Sequence, residues 1–212
     1  TALWADLQDY PEYADETFTP DVLDLSEHPV VTGTLEYTGR EEAETELAVF
    51  EDALDATGAT FDDTFVTSAS PSVVTATHVD EHYGDYEEYL FAAADAMQTE
   101  YGLLAEAGYT LQIDAPELLT VGQTDAYADA SLEEIKQASR LHVEALNGAL
   151  ENVPAEQVRL HTCWGSYEGP GHRDTDLAEM LPILYEADIT GLSVEQANHR
   201  HQHEYRAFAE HP

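Results

Sequence analysis

Apolar residues recur along this chain with two periods, one helical and one extended, and their alternation predicts the architecture. "REEAETELAVFEDALDATG" places Ala43, Leu47, Phe50 and Leu54 on one helical face, and Gly58 closes the run as a helix C-terminus. "DYEEYLFAAADAMQTEYGLLAEAG" carries a longer stripe, Tyr86, Leu90, Ala93, Met97, Tyr101 and Leu104, stopped by Gly108. "SLEEIKQASRLHVEALNGALENV" opens with Ser131 three residues before Glu134, the pairing of a capping box. "DLAEMLPILYEA" predicts a shorter helix that Pro182 should kink or split.

Between these helices lie short runs that read as strands: "PVVTGTLEY", "FDDTFVTSASP", "YTLQID", "QVRLHTCWG" and "ITGLSVE". Residues 1–29 are irregular and Pro-punctuated, with room for one short helix. Residues 30–212 show no internal repeat and no linker, so they are expected to form one α/β unit. Strands alternating with helix-length crossovers predict a parallel sheet with helices outside it. Polar residues gather at the carboxyl ends of the strands: Ser68 and Ser70, Asp114, His161 and Cys163, Glu195. In parallel α/β folds that edge is where chemistry sits.

Composition changes the picture in one respect. There are 44 acidic residues against 7 basic ones, a formal charge of −37. Self-repulsion of that size strains a compact state in dilute buffer, where charges act over about 10 Å, and is damped at molar salt, where the reach is about 3 Å. The acids are spread along the whole chain, and 43% of residues are hydrophobic, so disorder is excluded and a core is available. The expectation is a cytoplasmic protein of a salt-accumulating halophile. So few cations disfavour nucleic acid as a partner. No apolar run approaches the ~18 residues of a membrane span, and one cysteine excludes an internal disulfide framework.

That cysteine lies in "HTCWGSYEGPGHRD". On a strand, His161 and Cys163 project to the same face, and both are good zinc ligands. The spacing alone leaves two readings open, a metal-binding pair or a small apolar filler beside a histidine. Glu195 ends the next strand and reads as a rim carboxylate or a third ligand. Asp114 reads as a binder of a substrate ammonium, as a base, or as a loop-capping acid. His142 falls near an apolar helix face and reads as a core histidine. His199, His201 and His203 in "ANHRHQHEYRAF" read as a surface loop.

Together, "SASPSVV", "LQIDAPEL", "LHVEALNGAL", "RLHTCWGSYEGPGHRD" and "LSVEQANHRHQHEYRAF" follow the order and spacing of a known family. From about residue 30 to its end, the chain resembles the catalytic domain of cobalamin-independent methionine synthase. The pattern is nearest to shorter single-barrel archaeal and bacterial relatives, a group that also includes epoxyalkane–coenzyme M transferase. The resemblance implies part of a TIM-like (β/α)8 barrel that binds Zn2+ through His161, Cys163 and Glu195. It implies that Asp114 holds the amino group of homocysteine as the catalytic-site acid, with Ser68, Ser70 and Trp164 as further substrate contacts. The expected reaction is transfer of a methyl group from a methyl-folate or a methyl-corrinoid protein to the homocysteine thiol, forming methionine. The alternatives are another zinc-dependent thiol alkyl transfer, of the epoxyalkane–coenzyme M type, and a non-catalytic partial barrel that needs a partner; Trp164 and the tyrosine-rich loop around Tyr167 suit either transfer. The sequence departs from the family in two ways. The motif reads "QIDAP" where the family has a second acid, and the cysteine expected as fourth ligand has no counterpart. With about five strands against the eight of a closed barrel, early and late strands are expected to be missing, as in a fragment.

Overall fold

The structure is a computed structural model that describes residues 8–17, 29–165 and 169–211. Most of the N-terminal segment, and Tyr167 in the loop after "HTCWG", lie outside the described residues. A short helix, α1 (Pro11–Thr17), precedes β1 (Val30–Val31) and α2 (Arg40–Thr57). The chain continues through β2 (Phe65–Ala69), α3 (Pro71–Ala76), β3 (Val79–Asp80) and α4 (Tyr86–Glu106). Then follow β4 (Thr110–Asp114), α5 (Glu117–Thr120), α6 (Leu132–Ala149), β5 (Val158–Thr162), α7 (Leu177–Leu184), β6 (Gly191–Val194) and α8 (Ala207–Glu210).

Four strands make one parallel sheet in the order β2-β4-β5-β6, with helices between them in sequence and outside the sheet. The two faces of that sheet differ in chemistry because side chains alternate. Val66, Leu111, Ile113, Val158 and Leu160 face α4, α6 and α7, where they join Leu90, Tyr101, Val143, Leu146, Leu177 and Leu181 in one apolar core. The opposite face carries Thr67, Gln112, Arg159 and Gly191 in one register row and Ala69, Asp114, His161 and Ser193 in the row above it. This face would be the inside of a barrel; in the described residues it is polar and partly open.

Local signals explain the best-formed helices. Ser131 and Glu134 form the capping box reciprocally at the start of α6, satisfying two backbone donors that a helix start leaves free. Asp85 caps α4 by accepting the N–H of Glu88 at 3.0 Å, and five of its six predicted stripe residues (Leu90, Ala93, Met97, Tyr101 and Leu104) are buried. Tyr86, the first of that stripe, is instead 46% exposed. The α2 stripe forms on the predicted face but buries no residue completely; Phe50 meets Tyr109 edge to face, with ring centroids 5.1 Å apart.

Three expectations are corrected. "PVVTGTLEY" does not form a long strand of the main sheet: β1 keeps two residues and pairs with β3, which the sequence pattern had not shown. Beyond it, the Leu35 N–H is taken by the Tyr83 hydroxyl at 2.9 Å and not by a neighbouring strand. Of the kink or split expected at Pro182, the split does not occur: α7 runs through it and ends two residues later. The final turn closes around the proline through Tyr185 N–H donating to the Leu181 carbonyl at 3.0 Å. His201 is not on a surface loop, being 4% exposed. His142 is buried as expected, and no helix among the described residues is long and apolar enough to cross a membrane.

Candidate functional site

The carboxyl ends of β2, β4 and β5 are laced together before any side chain is considered. Ser70 N–H donates to the Asp114 carbonyl at 3.0 Å, and Ala115 N–H donates to the His161 carbonyl at 2.9 Å. Parallel register then sets Asp114 beside His161 on the open face, with His161 Nε2 3.6 Å from Asp114 Oδ1. One row below, Arg159 donates to Gln112 at 2.8 Å and lies 4.2 Å over the Phe65 ring. Cys163 follows β5 directly and is half-buried. The sheet thus brings Asp114, His161 and Cys163 to one edge.

Two of the three remaining expected substrate contacts go elsewhere. Ser68 points to the helix side and gives its hydroxyl to Glu100 of α4. Trp164 is 2% exposed, with its indole N–H donated to the Thr175 carbonyl at 2.9 Å. Ser70 does lie at the edge, where its side chain caps α3 by accepting Val73 N–H at 3.1 Å.

Ser70 also reveals a residue that sequence reasoning passed over. Its hydroxyl donates to Glu117 Oε1 at 2.8 Å, and the Ser72 hydroxyl donates to the same oxygen. Glu117 Oε2 is shielded from solvent with no hydrogen-bond partner among the described residues. Burial pushes this carboxyl up to about 7; the two serine bonds oppose the rise and the nearby Asp114 charge adds to it. A carboxyl poised there at neutral pH holds or releases a proton with a small change of environment. The signal in the sequence was an acid three residues beyond Asp114 in "DAPEL". Its meaning depends on β2 and β4 being neighbours, which periodicity does not supply.

The electrostatics around Cys163 are those of a thiol kept neutral. Burial raises its pKa first, a backbone bond with Gly165 opposes this, and the charges of Asp114, Glu195 and Glu117 raise it further. Glu195, immediately after β6, spends its carboxylate on the following turn. It accepts Ala197 N–H at 2.8 Å, Asn198 N–H at 3.2 Å and the Asn198 side-chain amide. The donor types of His161, Cys163 and Glu195 suit zinc. Their arrangement does not: among the described residues no group of three His, Cys, Asp or Glu side chains is gathered to hold a metal ion.

Comparison with known proteins gives the fold a counterpart. A B12-independent methionine synthase from Shewanella sp. W3-18-1, solved in complex with selenomethionine, has a similar structure. The match has a TM-score of 0.51 at 18% identity and covers 77% of this chain. The chain spans less than half of that protein, 44% of its length. No protein-family model and no curated protein matches the sequence. The likeness supports the parallel strands and outer helices of a barrel-type α/β fold, and strand register sets Asp114 beside His161.

Proposed function

We propose that the chain is a methyltransferase related to the B12-independent methionine synthases, acting on the thiol of homocysteine with a methyl-folate or methyl-corrinoid protein as donor. The observation that carries this reading is the juxtaposition of Asp114 and His161, 3.6 Å apart, on the open face beside Cys163, in a fold of that kind. Asp114 is 51% exposed and offers an anion for a substrate ammonium group. In the transfer, the bond from sulfur to the methyl carbon forms as the bond from methyl to donor breaks, and the thiol proton departs. Glu117, which burial raises to about 7, is the group this proposal assigns to take up that proton.

The same charges bear on the cofactor. Burial first, and then Asp114, Glu195 and Glu117, raise the Cys163 thiol, and a cation would offset those charges at a bound sulfur. Zinc is the cofactor proposed for it; no step is assigned to the metal, because the three expected ligands are not gathered. A cytoplasmic setting is part of the same proposal.

The test is methionine formation from homocysteine with each donor, in molar potassium chloride, for the wild type and Asp114→Asn. Zinc content is measured on the same preparations and on Cys163→Ala. Turnover whose homocysteine KM rises in Asp114→Asn, with about one zinc per chain that Cys163→Ala loses, is the expected result. Turnover of 2-mercaptoethanesulfonate with an epoxide, and none of homocysteine, would assign alkyl transfer instead. A folded, zinc-supplied protein inert towards every thiol would overturn the enzyme reading.

A further inference from the structure

Outside the edge just described, the most heavily built polar cluster surrounds His201. Its imidazole stacks on the Trp164 indole, with ring centroids 3.6 Å apart and planes 4° from parallel. Nε2 faces Asp174 Oδ2 at 3.0 Å, and Nδ1 faces Glu204 Oε1 at 2.6 Å. With both acids ionised, and so only accepting, hydrogen sits on both ring nitrogens and the ring is an imidazolium; burial raises the Asp174 carboxyl, and the Arg200 and His201 charges oppose that rise. The three side chains are all buried, 4% exposed for His201, 6% for Asp174 and 9% for Glu204. Buried charges of this kind persist when each is paired and hydrogen-bonded. Arg200 completes the set by donating to Asp174 Oδ2 at 3.2 Å, while neutral Gln123 donates to Oδ1 at 2.6 Å.

This cluster reaches both arms of the candidate site. Trp164 is the residue after Cys163, so the stacked ring fixes the chain where it leaves β5. The backbone N–H of His201 donates to Asn198 Oδ1 at 2.7 Å, and the Asn198 amide donates to Glu195. Glu204 in turn accepts the N–H of Leu177 at the start of α7. The exits of β5 and β6 therefore converge on His201, one through its ring and the other through its backbone N–H.

We infer that His201 is a positioning residue, an imidazolium clamped between Asp174 and Glu204 that sets Cys163 and Glu195 relative to each other through Trp164 and Asn198. The clamp acts without touching either of them. Its two acids hold the charge on the ring, and the ring holds the indole.

Two readouts test this, and neither depends on turnover. The chain has two tryptophans, so in a Trp4→Phe background Trp164 alone emits. A stacked imidazolium quenches indole fluorescence, so emission is expected to rise in one step as the ring loses its proton. The second readout is alkylation of Cys163, the single cysteine, by iodoacetamide in molar potassium chloride at fixed pH. His201→Gln should accelerate it about tenfold by freeing the β5 exit to open locally, in protein whose far-UV circular dichroism is that of the wild type. If His201→Gln does not fold, the fluorescence titration of the Trp4→Phe protein decides alone. Emission that stays flat through the imidazole titration overturns the inference. So does a folded His201→Gln that is less stable but alkylates at the wild-type rate, since that is the behaviour of a packing residue.

Discussion

Ser70 donates its hydroxyl to Glu117 across the gap between the loops after β2 and β4, at 2.8 Å. The bond ties two loops whose strands are neighbours in the sheet but 40 residues apart in the chain, and it does so with a carboxyl that burial has pushed up to about 7. Such a group binds more protons in the native state than in the unfolded chain between its ordinary 4.5 and about 7. Its contribution to stability is full below the lower value and is lost as pH rises through the upper one. Glu117→Gln keeps an acceptor for the serines and removes the charge. At about pH 8 it should stabilise the fold by about 2 kcal/mol, taking ~1.4 kcal/mol per pKa unit and discounting for partial exposure. At about pH 4 it should change little. Urea unfolding at the two pH values measures this, and equal effects at both would contradict a raised Glu117.

His142 supplies the opposite slope. Burial lowers its pKa from 6.5 to about 4, while Nε2 shares a 2.9 Å bond with the Tyr86 hydroxyl. A histidine held neutral contributes stability that is present above 6.5 and lost as pH falls towards about 4. Between about 4.5 and 6.5 the two groups therefore oppose each other. In the Glu117→Gln protein the acid slope of His142 should emerge, with stability falling more steeply towards low pH than in the wild type. His142→Asn should do the reverse. The difference in unfolding free energy between each variant and wild type, followed across that window, carries the test.

Salt should act on the whole molecule in the direction opposite to its usual effect on ion pairs. The net charge is −37, and the few cations are already engaged: Lys136 with Glu179, Arg140 with Glu133 and Glu186, Arg173 with Asp9. Screening these exposed pairs costs little, about 1 kcal/mol or less each. Screening the far more numerous repulsions is the larger gain. The melting temperature should rise steadily from dilute buffer to molar potassium chloride, by about 2–4 °C for each kcal/mol of repulsion relieved. A melting temperature that falls with salt would show the ion pairs to dominate.

Much of this architecture was legible because it is periodic or capped. The α4 stripe, the Ser131–Glu134 capping box, and the strands "YTLQID" and "QVRLHTCWG" all announce themselves within one window of residues. The helix α3 could also have been read, since Ser70 followed by Pro71 is an N-cap with proline in the first turn. "PVVTGTLEY" misled because β-rich composition carries no information about available partners. The edge containing Asp114, His161 and Cys163 followed from the strand ends alone. Glu117 did not, because its environment comes from Ser70 and Ser72, 45 residues and more away. Nor did His201: Glu204 stands three residues on in "ANHRHQHEYRAF", but Trp164 and Asp174 come from the separate stretch "HTCWGSYEGPGHRD".

Gly171 offers a test of how tightly the loop after β5 is held. Its φ is +60°, and a Cβ there would overlap the Arg200 guanidinium, which donates to Asp174 at 3.2 Å. Gly171→Ala therefore carries two separate costs. One is the left-handed backbone, about 1 kcal/mol for a residue with a Cβ. The other is displacement of Arg200 from a carboxylate that is 6% exposed, where loss of a charge-assisted bond costs about 1.5–3 kcal/mol. Arg200→Ala makes room for the new methyl group, so in that background Gly171→Ala should show the backbone cost alone. The double-variant cycle should accordingly give less destabilisation than the sum of the single variants. Additive costs would mean that Arg200 moves aside freely and that the Gly171 contact does not constrain the loop.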